Sequence, residues 1–165
     1  MKTEEIDFQL VGKESNLFLS KTDIETLTQL QQHLNDLNIS ELKSVLDDEG
    51  VTFIGVGESK ENNSACKAVE KALKNISKDY TQYAIEAVFI HFLIPSNYAI
   101  IEIVEAMEII YTVAEDDAEI FWSKSRDLSA ETNSVQVTLI LKHIKKGSYK
   151  KYVNRKDYKG TSPIK

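Results

Sequence analysis

Two glycines stand shortly before an amphipathic helix pattern in the segment VTFIGVGESKENNSACKAVEKAL, residues 51–73. Glycines in a turn ahead of a helix can bind a nucleotide phosphate, because backbone N–H groups at the start of the helix face the anion. A phosphate loop also needs a third glycine or a Gly-Lys-Ser ending, and neither is present. Gly55 and Gly57 lie within a strand pattern, and Glu58 and Glu61 would repel the anion. We therefore expect the glycines to let a helix or another backbone pack closely, or to mark a bulge.

Few other residues have the types and spacing that chemistry requires. His33, His91 and His143 are far apart and show no H-x-x-x-H spacing, so we expect no metal site, and we expect His91 to be a hydrogen-bonded histidine within an apolar strand. Cys66 is the only cysteine, which excludes an internal disulfide and favours a small buried hydrophobe. No nucleophile elbow supports a Ser-His-Asp arrangement. The sequence therefore predicts no catalytic residue and no cofactor.

The elements that carry these residues alternate between helix and strand. An apolar stripe predicts a helix from Asp23, as its N-cap, to about Leu34. A second helix follows, with Asn38 as N-cap, Glu41 as its capping-box partner and Gly50 as the C-cap glycine. Before both helices, two short apolar runs around GKESN predict a hairpin or a pair of loosely placed strands.

The later elements continue this alternation and then end in two strands. Strands are predicted at 51–57 and 84–94, with a helix from Ser64 between them. The next helix would have Ser96 or Asn97 as its cap, and its inward stripe is predicted to be Ile100, Ile101, Val104, Met107, Ile110 and Tyr111. Residues 119–124 and 134–144 are predicted to pair as a closing hairpin. The predicted fold is α+β, a two-layer sandwich of a mixed sheet with helices packed on it.

Composition fits one globular domain of 165 residues with an uneven charge distribution. The net charge is -6, but residues 145–165 hold eight Lys or Arg and one acid, so this basic tail carries +7 and the rest carries -13. No apolar run is long enough to cross a bilayer, and the acidic start does not resemble a secretory signal. We therefore expect a cytoplasmic location.

The run LNISELKSVLDDEGVTFIGVGESKENNSACKAVEKAL resembles the C-terminal half of FtsZ, the tubulin-like cell-division GTPase family. The downstream runs AVFIHFLIPSNYAIIEIVEAMEII, AEIFWSK and VQVTLILKHI agree with the order of strands and helix in that family. The resemblance covers about residues 36–144 and implies three parts: 1–35 outside it, 36–144 as the FtsZ C-terminal-like domain, and 145–165 as the tail. The glycine-rich GTP-binding loop of the family has no counterpart in these residues, so the resemblance implies the activation half by itself.

The resemblance also implies a partner-contact site at Asp36, Asn38 and Glu41. In the family, acidic residues of the loop before this helix reach the next subunit and polarise the water that attacks GTP. Asn38 stands where the family has a carboxylate, and an amide cannot act as a base. Glu41 keeps the charge but is one methylene longer. We therefore expect a non-catalytic interaction domain that binds a tubulin-like GTPase or self-associates as a homo-oligomer, although helix capping alone also explains Asn38 and Glu41.

Two other functions remain open from the sequence. Chorismate-mutase-like proteins resemble the predicted layer order, but a dicarboxylate substrate requires several arginines, and only Arg126 and Arg155 are present. The tail interleaves tyrosines with basic residues and offers a contact to nucleic acid or to an anionic membrane. Its candidate residues are Lys150, Lys151, Tyr152, Arg155 and Lys156. We favour a tail that is solvated or that docks on the acidic body.

Overall fold

A computed structural model describes residues 20–47, 50–76 and 79–144 of the chain. The predicted hairpin before residue 20 and all five tail candidates lie outside these ranges. The α-helices of the described residues are α1 (Lys21–Gln31), α2 (Asp36–Asp47), α3 (Ser64–Lys74) and α4 (Ile100–Val113). The strands are β1 (Gly50–Ser59), β2 (Ile85–Ile94), β3 (Ala114–Arg126) and β4 (Val135–Ile144).

The four strands form one mixed sheet in the order β1-β4-β2-β3. β4 is antiparallel to both β1 and β2, and β3 is parallel to β2. The predicted closing hairpin is therefore wrong, because β3 and β4 are not neighbours. Helix α4 returns the chain so that β3 runs parallel to β2 on its outer side, and β4 then inserts between β1 and β2.

Helices cover both faces of the sheet because alternate strand residues point to opposite sides. On one face, Phe53 and Phe92 pack with α3 and α4 in the larger core cluster. On the other face, Ile54 and Phe89 pack with α1 and α2 in a second cluster. The predicted α+β fold, a mixed sheet with packed helices, is confirmed. The sheet and the α3/α4 layer correspond to the two predicted layers, and α1 and α2 form a third layer on the other face of the sheet.

Several predicted helix ends are corrected by the hydrogen bonds. Ser20, not Asp23, is the N-cap of α1, and Asp23 is its capping-box partner three residues later. Gly50 does not cap α2 but begins β1 with φ of +146°. A Cβ at that position would lie 1.9 Å from the His143 carbonyl oxygen, which explains the glycine. Neither Ser96 nor Asn97 caps α4, whose N-cap is Ala99 without a side-chain hydrogen bond.

The buried side of α4 is rotated relative to the predicted stripe. Met107 and Ile110 face the core as predicted. Four residues of the predicted stripe are instead exposed, namely Ile100 (40%), Ile101 (61%), Val104 (48%) and Tyr111 (59%). Because α4 is apolar on most of its circumference, helical spacing alone does not select the inward face. Ile103 and Ala106 take the buried positions instead.

Candidate partner-binding site

The proposed contact residues lie in the first turns of α2, after a short connection from α1. Asn35 precedes the helix, and its Oδ1 accepts from the backbone N–H of Asn38 at 2.8 Å. The N-cap interaction predicted for Asn38 is therefore made by Asn35, and Asn38 is the residue whose N–H is capped. Glu41 does contact Asn38, because Oε1 of Glu41 accepts from Nδ2 of Asn38 at 3.3 Å.

We refer to Asp36, Leu37, Asn38 and Glu41 as the α2 head. Asp36 is exposed, whereas Asn38 and Glu41 are half-buried. Leu37 is 67% exposed, and its contribution to this surface was missed from the sequence. The sequence feature that could have indicated Leu37 is an apolar residue outside the predicted buried stripe of α2. The α2 head therefore combines an exposed leucine with a neighbouring carboxylate.

The connection before the α2 head is held against the end of β3. Oγ of Ser125 donates to the His33 carbonyl oxygen at 2.7 Å and lies 2.9 Å from Nε2 of His91. The single hydroxyl proton of Ser125 is donated to the His33 carbonyl oxygen, so Ser125 can only accept from His91. Nε2 of His91 must therefore carry the proton, which fixes the tautomer of the His91 ring. Burial, with a smaller contribution from His33, lowers the pKa of His91 to about 4. A neutral histidine therefore anchors this connection, and the predicted hydrogen bonding of His91 is confirmed.

The far end of α2 is held by a buried lysine. Lys142 is 1% exposed, and its Nζ donates to the Leu46 carbonyl oxygen at 3.2 Å and to Oγ1 of Thr52 at 2.9 Å. Leu42 and Val45 are buried between these ends. Helix α2 is therefore fixed at both ends, and the α2 head is presented on a rigid support.

Helix α3 fills the space beside Gly55 and Gly57, two of the three glycines of β1. A Cβ on Gly55 would lie 2.1 Å from the Ala72 carbonyl oxygen, and one on Gly57 would lie 2.2 Å from that of Ala68. The predicted close packing of a helix is confirmed. At the start of α3, the Ala65 N–H already donates to the Tyr98 hydroxyl at 2.9 Å.

The Tyr98 hydroxyl lies at the N-terminus of α3 and makes three hydrogen bonds there. It donates to Oε1 of Glu102 at 2.5 Å, so Ser64, whose Oγ is 2.9 Å away, must donate to it. Burial and the Glu102 hydrogen bond raise the pKa of Tyr98 to about 12. A neutral phenol therefore occupies the position that an anion would need at this helix N-terminus.

Folding brings two of the three histidines together without forming a metal cluster. The rings of His33 and His91 stack with centroids 5.8 Å apart. Within the part of the chain that the structure describes, no three His, Cys, Asp or Glu side chains are placed to hold a metal ion. Cys66 is half-buried rather than buried. No described helix is long and apolar enough to cross a membrane.

Three surface cavities of the described residues are large enough for a small molecule. Their volumes are about 280, 280 and 440 Å³, and no lysine or arginine lines any of them. A dicarboxylate site of the chorismate-mutase-like kind needs converging cations. These cavities do not supply them.

Comparison with known proteins identifies a related family. The FtsZ family, C-terminal domain, matches residues 50–145. Cell division protein FtsZ 2 of Pyrococcus furiosus is 33% identical over 92 residues, which are 56% of this chain and 22% of that protein. Cell division protein FtsZ 1 of Archaeoglobus fulgidus is 27% identical over 139 residues, 83% of this chain and 37% of that protein. The chain thus spans well under half the length of these relatives.

A solved structure gives the same result for the fold. The chain superposes on the structure titled FtsZ dimer, empty, from M. jannaschii with a TM-score of 0.61 and 23% identity. The superposition covers 84% of this chain and 43% of the other. At this identity the likeness establishes the fold alone.

Proposed function

The chain belongs to the FtsZ family, C-terminal domain, and on that premise we propose that it is a non-catalytic interaction domain that binds a tubulin-like GTPase subunit through the α2 head. The single observation that carries the proposal is the exposed Leu37 at the tip of a helix fixed at both ends. In the family that the chain resembles, the residues before this helix contact the next subunit.

The α2 head can contribute both apolar area and charge to an interface. A rigidly held apolar side chain gains more from burial at an interface than a mobile one, because less conformational entropy is lost. Burying Leu37, now 67% exposed, would remove apolar surface from water. The neighbouring Asp36 adds a charge that restricts which surfaces can approach.

The chemistry of the α2 head supports binding rather than catalysis. Asn38 carries an amide, which cannot accept the proton that a general base must remove. The Glu41 carboxylate is turned toward Nδ2 of Asn38 on the same helix, 3.3 Å away. A docked chain would therefore occupy the contact surface of a GTPase subunit without supplying the carboxylate pair.

The partner class follows from the family and from the relatives. The matched relatives are named cell division proteins, and the superposed structure is titled a dimer. We therefore propose a role connected with cell division, with a full-length FtsZ as partner. A second copy of this chain is the other candidate for the same surface.

Leu37→Asp tests this proposal in an association assay. Full-length FtsZ from the same organism is titrated with the chain, and binding is measured by sedimentation velocity. The wild-type chain is expected to bind, and Leu37→Asp to bind about tenfold more weakly or worse, because a charge must then be desolvated at the interface.

Ser44→Asp is the matched control for the added charge. Ser44 is exposed on α2, about 10 Å further along the helix, from a rise of 1.5 Å per residue. It is expected to change the affinity by no more than about twofold, which is typical of residues outside a hot spot. Equal affinities of Leu37→Asp and the wild type would exclude the α2 head as the contact. Sedimentation of the chain alone separates self-association from FtsZ binding.

A further inference from the structure

The outer side of α4 carries an exposed apolar stripe bordered by acids. Ile101, Val104 and Tyr111 are exposed along one side of the helix, and Glu105 and Glu108 are exposed between them. Residues three and four apart lie on the same side of a helix, so these five side chains form one continuous strip. We refer to these five residues as the α4 outer face.

The α4 outer face is negative as well as apolar. Helix α4 contains Glu102, Glu105 and Glu108 and no lysine or arginine. Burial and then the charges of Glu105, Glu70, Glu102 and Glu108 raise the pKa of the neighbouring Cys66 thiol. A ligand for this strip must therefore bring positive charge together with apolar or aromatic groups.

Residues 145–165 of the same chain have this composition. They carry eight Lys or Arg against one acid, and Tyr149, Tyr152, Val153 and Tyr158 are interleaved with the basic residues. Their net charge of +7 contrasts with the -13 of the rest of the chain. Charge complementarity therefore favours this segment over a second acidic body.

The sheet register places the start of this segment near the end of α4. Ala114 directly follows α4 and pairs with Ile85, and Lys142, close to the end of β4, pairs with Ala87. β4 and β3 are separated only by β2, so the chain leaves β4 about 10 Å from the end of α4, at two strand spacings. The 21 residues can span up to about 70 Å, whereas α4 is about 21 Å long.

We propose that residues 145–165 bind the α4 outer face of the same molecule. The basic side chains would lie against Glu105 and Glu108, and the tyrosines against Ile101, Val104 and Tyr111. The bound segment would cover the apolar strip and compete with any other molecule that needs this face. This inference does not rest on the partner proposed for the α2 head, which is a different surface.

Site-directed disulfide formation in the full chain tests the contact. In a Cys66→Ser background, Tyr152→Cys is combined with Val104→Cys on α4 or, as a control, with Ser44→Cys on α2. Ser44 lies two residues before Leu46, whose carbonyl oxygen accepts a hydrogen bond from Lys142 close to the end of β4. Ser44 is therefore close to the start of the segment, and proximity alone would favour the Ser44 disulfide over the Val104 disulfide. The Val104 pair is nevertheless expected to form an intramolecular disulfide about tenfold faster, because attraction raises the effective concentration.

Charge reversal and salt identify the force that drives the contact. Glu105→Lys with Glu108→Lys, or raising the salt from about 0.05 M to about 0.5 M, is expected to bring the Val104 rate down to the control rate. Equal rates for Val104 and Ser44 at low salt would overturn the proposal. Mainly intermolecular disulfides would overturn it in favour of a second copy, and a rate insensitive to both treatments would also contradict it. Tyr111→Cys replaces Val104→Cys if the latter does not fold.

Discussion

At the scale of single residues, His91 links stability to pH. The unfolded histidine has a pKa of about 6.5, and the folded one about 4. As the pH falls from about 6.5 to about 5, the unfolded chain gains a proton that folded His91 does not bind, so the free energy of unfolding decreases with a slope of up to about 1.4 kcal/mol per pH unit. The stabilisation is complete above pH 6.5 and is lost as the pH falls toward 4.

We expect His91→Phe to reduce this slope by up to about 1.4 kcal/mol per pH unit, the contribution of one proton, measured by urea unfolding at several pH values. His143→Phe, in β4, is the matched control, because it leaves His91 and Ser125 unchanged. If His91→Phe and the wild type showed the same slope, the hydrogen bond from neutral His91 to Ser125 would not describe the folded protein.

The residues of the α2 head show what local sequence rules can and cannot predict. Asn38 and Glu41 satisfy the capping-box spacing, and their side chains do meet. The cap itself is Asn35, which is an equally suitable residue three positions earlier. N-cap propensity cannot distinguish Asn35 from Asn38. The residue that caps α2 depends on where the His33 carbonyl group is held by Ser125.

At the scale of elements, the fit of α3 on β1 depends on Gly55 and Gly57. The glycines predicted this approach, since only a residue without Cβ leaves room for a helix backbone. The orientation of α4 and the position of β4 were not predictable in the same way. An apolar helix has no single inward stripe, and apolar spacing does not determine which strands become neighbours.

Gly57→Ala tests this fit directly. Its Cβ would lie 2.2 Å from the Ala68 carbonyl oxygen and 2.4 Å from the Ala72 backbone nitrogen, so α3 would have to shift. We expect a loss of about 3 kcal/mol in the free energy of unfolding, measured with urea. Glu58→Ala, exposed on the same strand, is the control and should change stability by less than about 0.5 kcal/mol. Unchanged stability of Gly57→Ala would show that α3 does not pack as described.

At the scale of the whole molecule, the order of strands and helices carried more information than any single motif. That order agreed with the FtsZ resemblance from β1 to β4, and the family match covers residues 50–145. The resemblance rested on the apolar spacing of these elements and on one G-x-G. Leu37 lies off the predicted buried stripe of α2, but its exposed fraction depends on the packing of the whole fold.

GTP turnover by full-length FtsZ in the presence of increasing amounts of this chain tests the central claim most directly. If the chain is a non-catalytic interaction domain, it should hydrolyse no GTP alone, and its addition should lower the turnover of FtsZ to saturation, because it occupies the contact surface without the activating carboxylates. Leu37→Asp should lose this effect and Ser44→Asp should keep it. Turnover of GTP by the purified chain alone, or FtsZ turnover unaffected at saturating chain, would contradict the account.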